Sequence, residues 1–236
     1  MEVIREGKVL RCLLFQAYDI ICLHLCLMMI VMKKNHNQAK TTGRRKSKMN
    51  HERAEDTLTS KYPEAIRCID ASEQYLRTYP QLLRSTALLA REMGEDALPA
   101  IAHMAYGWMP TILKKFSDSK PGIVGPATGC RSFEEASGLI QSLDDSPINN
   151  SWVGMSKVLH FMNPEFFPIW DSRVAQHFGL KYDYQINNRN HFLEYLAFVE
   201  KNRKSEAVKR VQEAFVKEAG YSVSDVRACE FILFSV

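Results

Sequence analysis

No cysteine pair in this chain has the CxxC spacing of a zinc ribbon or a thiol redox motif. The six cysteines, Cys12, Cys22, Cys26, Cys68, Cys130 and Cys229, are scattered in a way that builds no disulfide framework. That usage fits a reducing, cytoplasmic compartment. Long apolar runs are also missing: the strongest, Ile20–Met32, has 13 residues, short of the roughly 20 that span a bilayer. From Glu52 onward no stretch alternates with the period of two that a half-buried strand needs, which argues against a sandwich or barrel. Internal repeats are absent. No cluster of ligand-type side chains asks for a metal, and no redox cofactor is implied; Cys22, His24 and Cys26 read as filling on an apolar helix.

What charge there is lies unevenly. Residues 1–50 hold ten Lys/Arg against three acids, whereas residues 51–236 hold 21 against 24, a net of −3. The overall +4 is therefore a property of the N-terminal extension, and the body lacks the basic excess common in nucleic-acid-binding domains. Within the extension, the apolar segment 12–32 follows Arg5, Lys8 and Arg11 but leads to no small-residue cleavage site. Residues 33–48 then carry seven Lys/Arg and no acid, a solvated, disordered tract able to touch an anionic surface. Three readings stay open for residues 12–32: a weak membrane anchor, an apolar helix packed on the body or a partner, or a native start at Met32 or Met49.

The body, 51–236, reads as all-α, with roughly nine or ten helices in a compact, monomeric unit. The alternative is two lobes hinged at the loop 117–132, which holds two prolines and three glycines. Pro63 suits the first turn of a helix running to about Thr78, and Pro80 opens another that puts Leu82, Leu83, Leu88 and Leu89 inward and stops at Gly94. Shorter helices are expected over 96–106 and 108–116. Ser132 and Glu135 have capping-box spacing ahead of the next helix. Helices follow at about 152–162, 171–178, 190–203 and 205–219, with a last one from Ser224.

One segment stands apart, WVGMSKVLHFMNPEFFPIWDSRVAQHFG, residues 152–179. Lys157 lies inside an apolar helix, Asn163-Pro164 breaks it, and an apolar crossover leads to Asp171 at the start of the next helix. A partly desolvated lysine has a lowered pKa and can act as a nucleophile toward a carbonyl. An aspartate beside it can hold the lysine, activate a water or stabilise an oxocarbenium-like transition state.

The stretch SKVLHFMNPEFFPIWDSRV resembles helix-hairpin-helix DNA glycosylases, most closely uncharacterised bacterial and phage relatives of 8-oxoguanine DNA glycosylase. The terminal VSDVRACEFILF, residues 223–234, is similar to the closing Arg-x-x-Glu helix of that group. The resemblance covers about 28 residues plus this helix. It implies an all-α glycosylase fold with DNA as partner and base excision as activity. It also implies Lys157 as the Schiff-base lysine and Asp171 as the catalytic aspartate, with a flipped base held in a cleft. Two departures stand out. The hairpin preceding the lysine keeps only Val153-Gly154, and Lys157 and Asp171 are 14 residues apart, several fewer than usual.

Each residue also has a structural role open to it. Asp171 can simply cap a helix, for about 1 kcal/mol. Lys157 can lay its stem along apolar neighbours. Arg173 is solvated, paired with an acid or on substrate; His160, Trp152 and Trp170 are core residues or line the base pocket. Arg227 and Glu230, three apart on one helix, form an intrahelical pair or join two lobes. Beside the glycosylase reading stand a non-catalytic nucleic-acid or protein binding module on the same scaffold, and a membrane-tethered helical protein.

Overall fold

The computed structural model describes residues 48–108, 112–116, 122–143 and 145–236. The expectations for the apolar segment 12–32 and nearly all of the basic tract lie outside the described residues. Ser47–Val236 form one compact unit, so the described body is not divided into lobes at 117–132. It is helical as expected, with no strand among the described residues and one isolated antiparallel bridge, Phe116 to Ile148. No described helix is long and apolar enough to cross a membrane.

The first two helices are displaced from their expected positions. Helix α1 spans His51–Arg67, capped by the Asn50 side chain, which accepts from the Arg53 amide at 3.0 Å. Pro63 lies inside it rather than at its start. That position is on the exposed face, where water can satisfy the carbonyl that the missing N–H leaves free. Helix α2, Gln74–Met93, likewise contains Pro80. Here the carbonyl four residues back, Leu76, is taken by the Tyr221 hydroxyl at 3.0 Å. A side chain from elsewhere in the fold thus replaces the bond proline cannot make. Leu76, Tyr79 and Thr86 form the buried stripe of α2, and Leu88 faces solvent.

A 3-10 turn, Gly94–Ala97, leads into α3, Leu98–Gly107. Residues 112–115 are not helical, in contrast to the helix expected over 108–116. Within the expected loop, Val124–Gly129 form a short helix α4. Its start is set by Glu95, whose carboxylate accepts from the amides of Ile123, Val124 and Gly125 at 2.7, 3.0 and 2.8 Å. Helix α5, Phe133–Ser142, is capped by Ser132, while the Glu135 side chain reaches back one residue further than in a capping box, to the Arg131 amide.

Helices α6, Trp152–Met162, α7, Ser172–His177, α8, Asp183–Ile186, and α9, Arg189–Asn202, follow. Helix α10, Glu206–Ala214, runs on through a π-helical turn to Ala219, and α11, Asp225–Ser235, ends the chain. The core has two centres: α6 packs on α2, α3 and α4, and α11 packs on α1, α7, α9 and α10. Lys157, Asp171 and Glu230 lie on or beside the helices where these centres meet.

Candidate active site

Helix α6 begins at Ser151, whose hydroxyl accepts from the Gly154 amide at 3.2 Å. Two consecutive residues before it, Asn149 and Asn150, have left-handed backbones with φ of 54° and 49°; asparagine tolerates this region better than most residues. Gly154 sits against α3, so close to the Tyr106 hydroxyl that a Cβ would overlap it. The one glycine kept in the hairpin is therefore buried by packing. From Gly154 to Met162 every residue of α6 is buried, Lys157 and His160 included.

The crossover from α6 to α7 is held at three points. The Ser156 hydroxyl accepts from the Trp170 amide at 3.0 Å and lies 3.1 Å from the Trp170 carbonyl. One imidazole nitrogen of His160, Nδ1, bonds the Phe167 carbonyl at 2.7 Å. The Trp170 indole N–H donates to the Ile186 carbonyl at 2.8 Å. These bonds bring the chain back along α6 within the 14-residue spacing and deliver Asp171 to the N-cap of α7. There its Oδ1 accepts from the amides of Arg173 and Val174 at 3.0 and 3.1 Å.

Lys157 and Asp171 line one cavity of about 510 Å³, within the range of small-ligand sites. Ile169 and Leu76 form part of its apolar wall, Trp108, Phe231 and Phe234 supply rings, and Glu73, Arg173, Arg227 and Glu230 complete the charged lining. Among the described residues no ion pair joins Lys157 to Glu73, Asp171 or Glu230. Burial pushes the Lys157 amine below the usual lysine range, against the pull of the Asp171 and Glu230 charges. Arg227 and Glu230 make the intrahelical pair expected of them, but inside the protein, with side chains 4% and 1% exposed. The guanidinium bonds Glu230 Oε2 and lies over the Tyr79 ring, 5.0 Å from its centroid. Glu230 Oε1 is buried with no hydrogen-bond partner. Burial, with the Asp171 charge nearby, lifts the Glu230 carboxyl to about 7 in spite of Arg227.

The sequence-selected residues separate into two groups. Lys157, Asp171 and Arg173 meet at the cavity, Arg173 exposed at its edge with its guanidinium 4.9 Å from the Phe234 ring centroid. His160, Trp170 and Trp152 do not line it. His160 is fully buried between the Tyr79 hydroxyl, at 2.8 Å from Nε2, and the Phe167 carbonyl. Trp170 packs on Tyr195, with centroids 5.0 Å apart, and Trp152 on Phe192. The sequence pattern does not mark Trp108, Phe231 or Phe234 as site residues, and it offers Glu230 only a structural role, in a helical pair or between lobes. The signal for Glu230 was its setting: a charge inside the otherwise apolar ACEFILF cannot face water on every side.

Residues 124–236 match a protein family of unknown function (DUF6308). That segment holds Lys157, Asp171, Arg173, Arg227 and Glu230, while Leu76 and Trp108 lie ahead of it. No curated protein matches the chain, and no solved structure does. From α4 to its last residue, the chain is similar to that family of unknown function.

Proposed function

We propose that the cavity is the reaction site of a DNA N-glycosylase-like base-excision protein with Schiff-base lyase chemistry. The observation that carries this reading is the meeting of Lys157 and Asp171 at one cavity, with the amine desolvated and not ion-paired. In the neutral form, the Nζ lone pair attacks C1′ of a damaged nucleotide as the N-glycosidic bond breaks and its electron pair leaves with the base, or it adds to the C1′ carbonyl of the aldehyde left after base loss. The carbinolamine formed on the aldehyde expels water to give the Schiff base. Asp171 is already fixed by two backbone amides, so its second carboxylate oxygen remains available to face the positive charge that builds up on the sugar. The aromatic walls suit a flat, extruded base, and Arg173 at the edge suits a phosphate.

A specific observation favours a second reading, a non-catalytic binding module on the same scaffold. Gly154, which the hairpin resemblance would offer to a phosphate, is covered by Tyr106, and the body carries no basic excess. The two readings part in one assay. Duplex oligonucleotides carrying an oxidised, an alkylated or a deaminated base, and one with an abasic site, are incubated with the protein. Base release and borohydride-trapped complex are both measured. Release or trapping by the wild-type chain but not by Lys157→Ala supports the enzyme. Binding with neither release nor trapping supports the module.

A further inference from the structure

We infer that Glu230 is the proton acceptor for Lys157, the residue that makes the neutral amine. The assignment rests on the reading of Lys157 as a nucleophile. Its geometry is independent of which carbonyl that amine attacks.

Three carboxylates line the Lys157 cavity, and the fold uses their oxygens differently: Glu73 is exposed and caps α2 by accepting from the Tyr75 amide at 2.9 Å. One Asp171 oxygen is bound by two amides at the start of α7, which fixes that group as a hydrogen-bond acceptor. Glu230 has one oxygen on Arg227 and the other, Oε1, buried without a partner, a costly arrangement unless something else occupies that oxygen. Glu230 is faced by Arg227 on its own helix, Lys157 from α6, Asp171 ahead of α7, Tyr195 from α9 and Tyr79 from α2, with the Cys229 thiol beside it. Of these, Lys157 is the one group in the shared cavity with a proton to give. Arg227 stays protonated, and burial raises the Tyr79, Tyr195 and Cys229 groups out of reach. The lowered affinity of Lys157 for its proton and the raised affinity of Glu230 bring the two toward each other.

The step balances without a further reactant. An Nζ–H bond breaks with its electron pair left on Nζ, the proton passes to Oε1, and a neutral amine and a neutral carboxylic acid result. After carbinolamine formation the same proton can return to the departing hydroxyl, which leaves as water.

The full chain, reductively methylated with ¹³C-formaldehyde, tests this. The Lys157 resonance is assigned by its loss in Lys157→Arg and followed across pH. The expected profile has two steps, the lower at about 7, and Glu230→Gln removes that step. As a check that does not depend on the variant folding, the ¹³C carboxyl resonance of Glu230 in wild-type protein should share the midpoint of the lower step. A single step in the wild type, a lower step that survives in Glu230→Gln, different midpoints for the two nuclei, or no methylation of Lys157 would each overturn the assignment. If the two-step titration holds while no oligonucleotide traps, the glycosylase reading falls and the proton pair stands.

Discussion

Lys157 and His160 lie one turn apart on α6, both buried and both titratable, yet their polar atoms are treated in opposite ways. His160 has a partner at each nitrogen, the Tyr79 hydroxyl at 2.8 Å and the Phe167 carbonyl at 2.7 Å. The neutral ring that donates from Nδ1 and accepts at Nε2 fits these two bonds, and burial, with Arg227 nearby, holds its pKa down to about 3. Lys157 shares its cavity with three carboxylates and is paired with none of them among the described residues. One turn of helix therefore separates a polar group used to hold the crossover in place from one left unmatched. A buried group with every bond made contributes to the fold, whereas one left unmatched beside a cavity is available for chemistry. The same contrast divides two glutamates. Glu95 accepts three amide bonds, and Glu230 Oε1 accepts none.

The largest effect is expected at His160. His160→Leu strands the Tyr79 hydroxyl and the Phe167 carbonyl, so chemical denaturation at neutral pH should show a loss of about 3 kcal/mol. The ring also predicts a pH dependence. Its folded pKa lies below the ordinary 6.5, so its contribution is complete above 6.5 and is lost as pH falls toward about 3. His160→Leu should flatten the wild-type decline in that window, and an unchanged decline would mean that the buried ring does not carry the acid sensitivity.

Gly154→Ala comes next. A methyl there overlaps the Tyr106 hydroxyl, and displacing α6 from α3 should lower stability by about 2 kcal/mol in the same measurement. Because α6 carries both Lys157 and His160, this variant tests whether their placement depends on that close approach. Glu95→Gln, which weakens the cap of α4, should lose about 1 kcal/mol. Replacing an unmatched group should do least: Lys157→Met is expected to change stability by under about 1 kcal/mol. A loss comparable to that of His160→Leu would mean that Lys157 belongs to the fold rather than to the site.

Glu230 sharpens the contrast by the sign of its pH dependence. Its folded pKa is raised from 4.5 to about 7, so its contribution is fully present below 4.5 and is lost as pH rises through about 7. That is opposite to His160. Glu230→Gln should gain on the wild type as pH rises across that interval, read from paired denaturation curves.

Much of the fold was legible because local signals agreed with burial. Ser132, Asp171 and Ser224 each have a capping side chain followed by an apolar face, and each does begin a helix. The prolines misled because the partner that rescues the Leu76 carbonyl, Tyr221, lies 145 residues away in sequence. Helix α4 was hidden for the same reason, since its cap comes from Glu95 rather than from its own loop. At the site, the Lys157 and Asp171 pair was legible from an apolar helix, a short crossover and a helix start. What was not legible was the direction each side chain takes. His160 and Trp170 carry chemistry suited to a pocket, and backbone carbonyls three-dimensionally near but not obvious in sequence, those of Phe167 and Ile186, claim their polar atoms.

The proposed chemistry makes Lys157 a nucleophilic amine working beside Asp171. Its most direct test is borohydride trapping of abasic duplex DNA on the full chain, with the adduct located by peptide mass mapping. The account predicts one adduct, on Lys157, that is lost in Lys157→Ala and strongly reduced in Asp171→Asn. An adduct on any other lysine, or trapping that persists in Lys157→Ala, would contradict it.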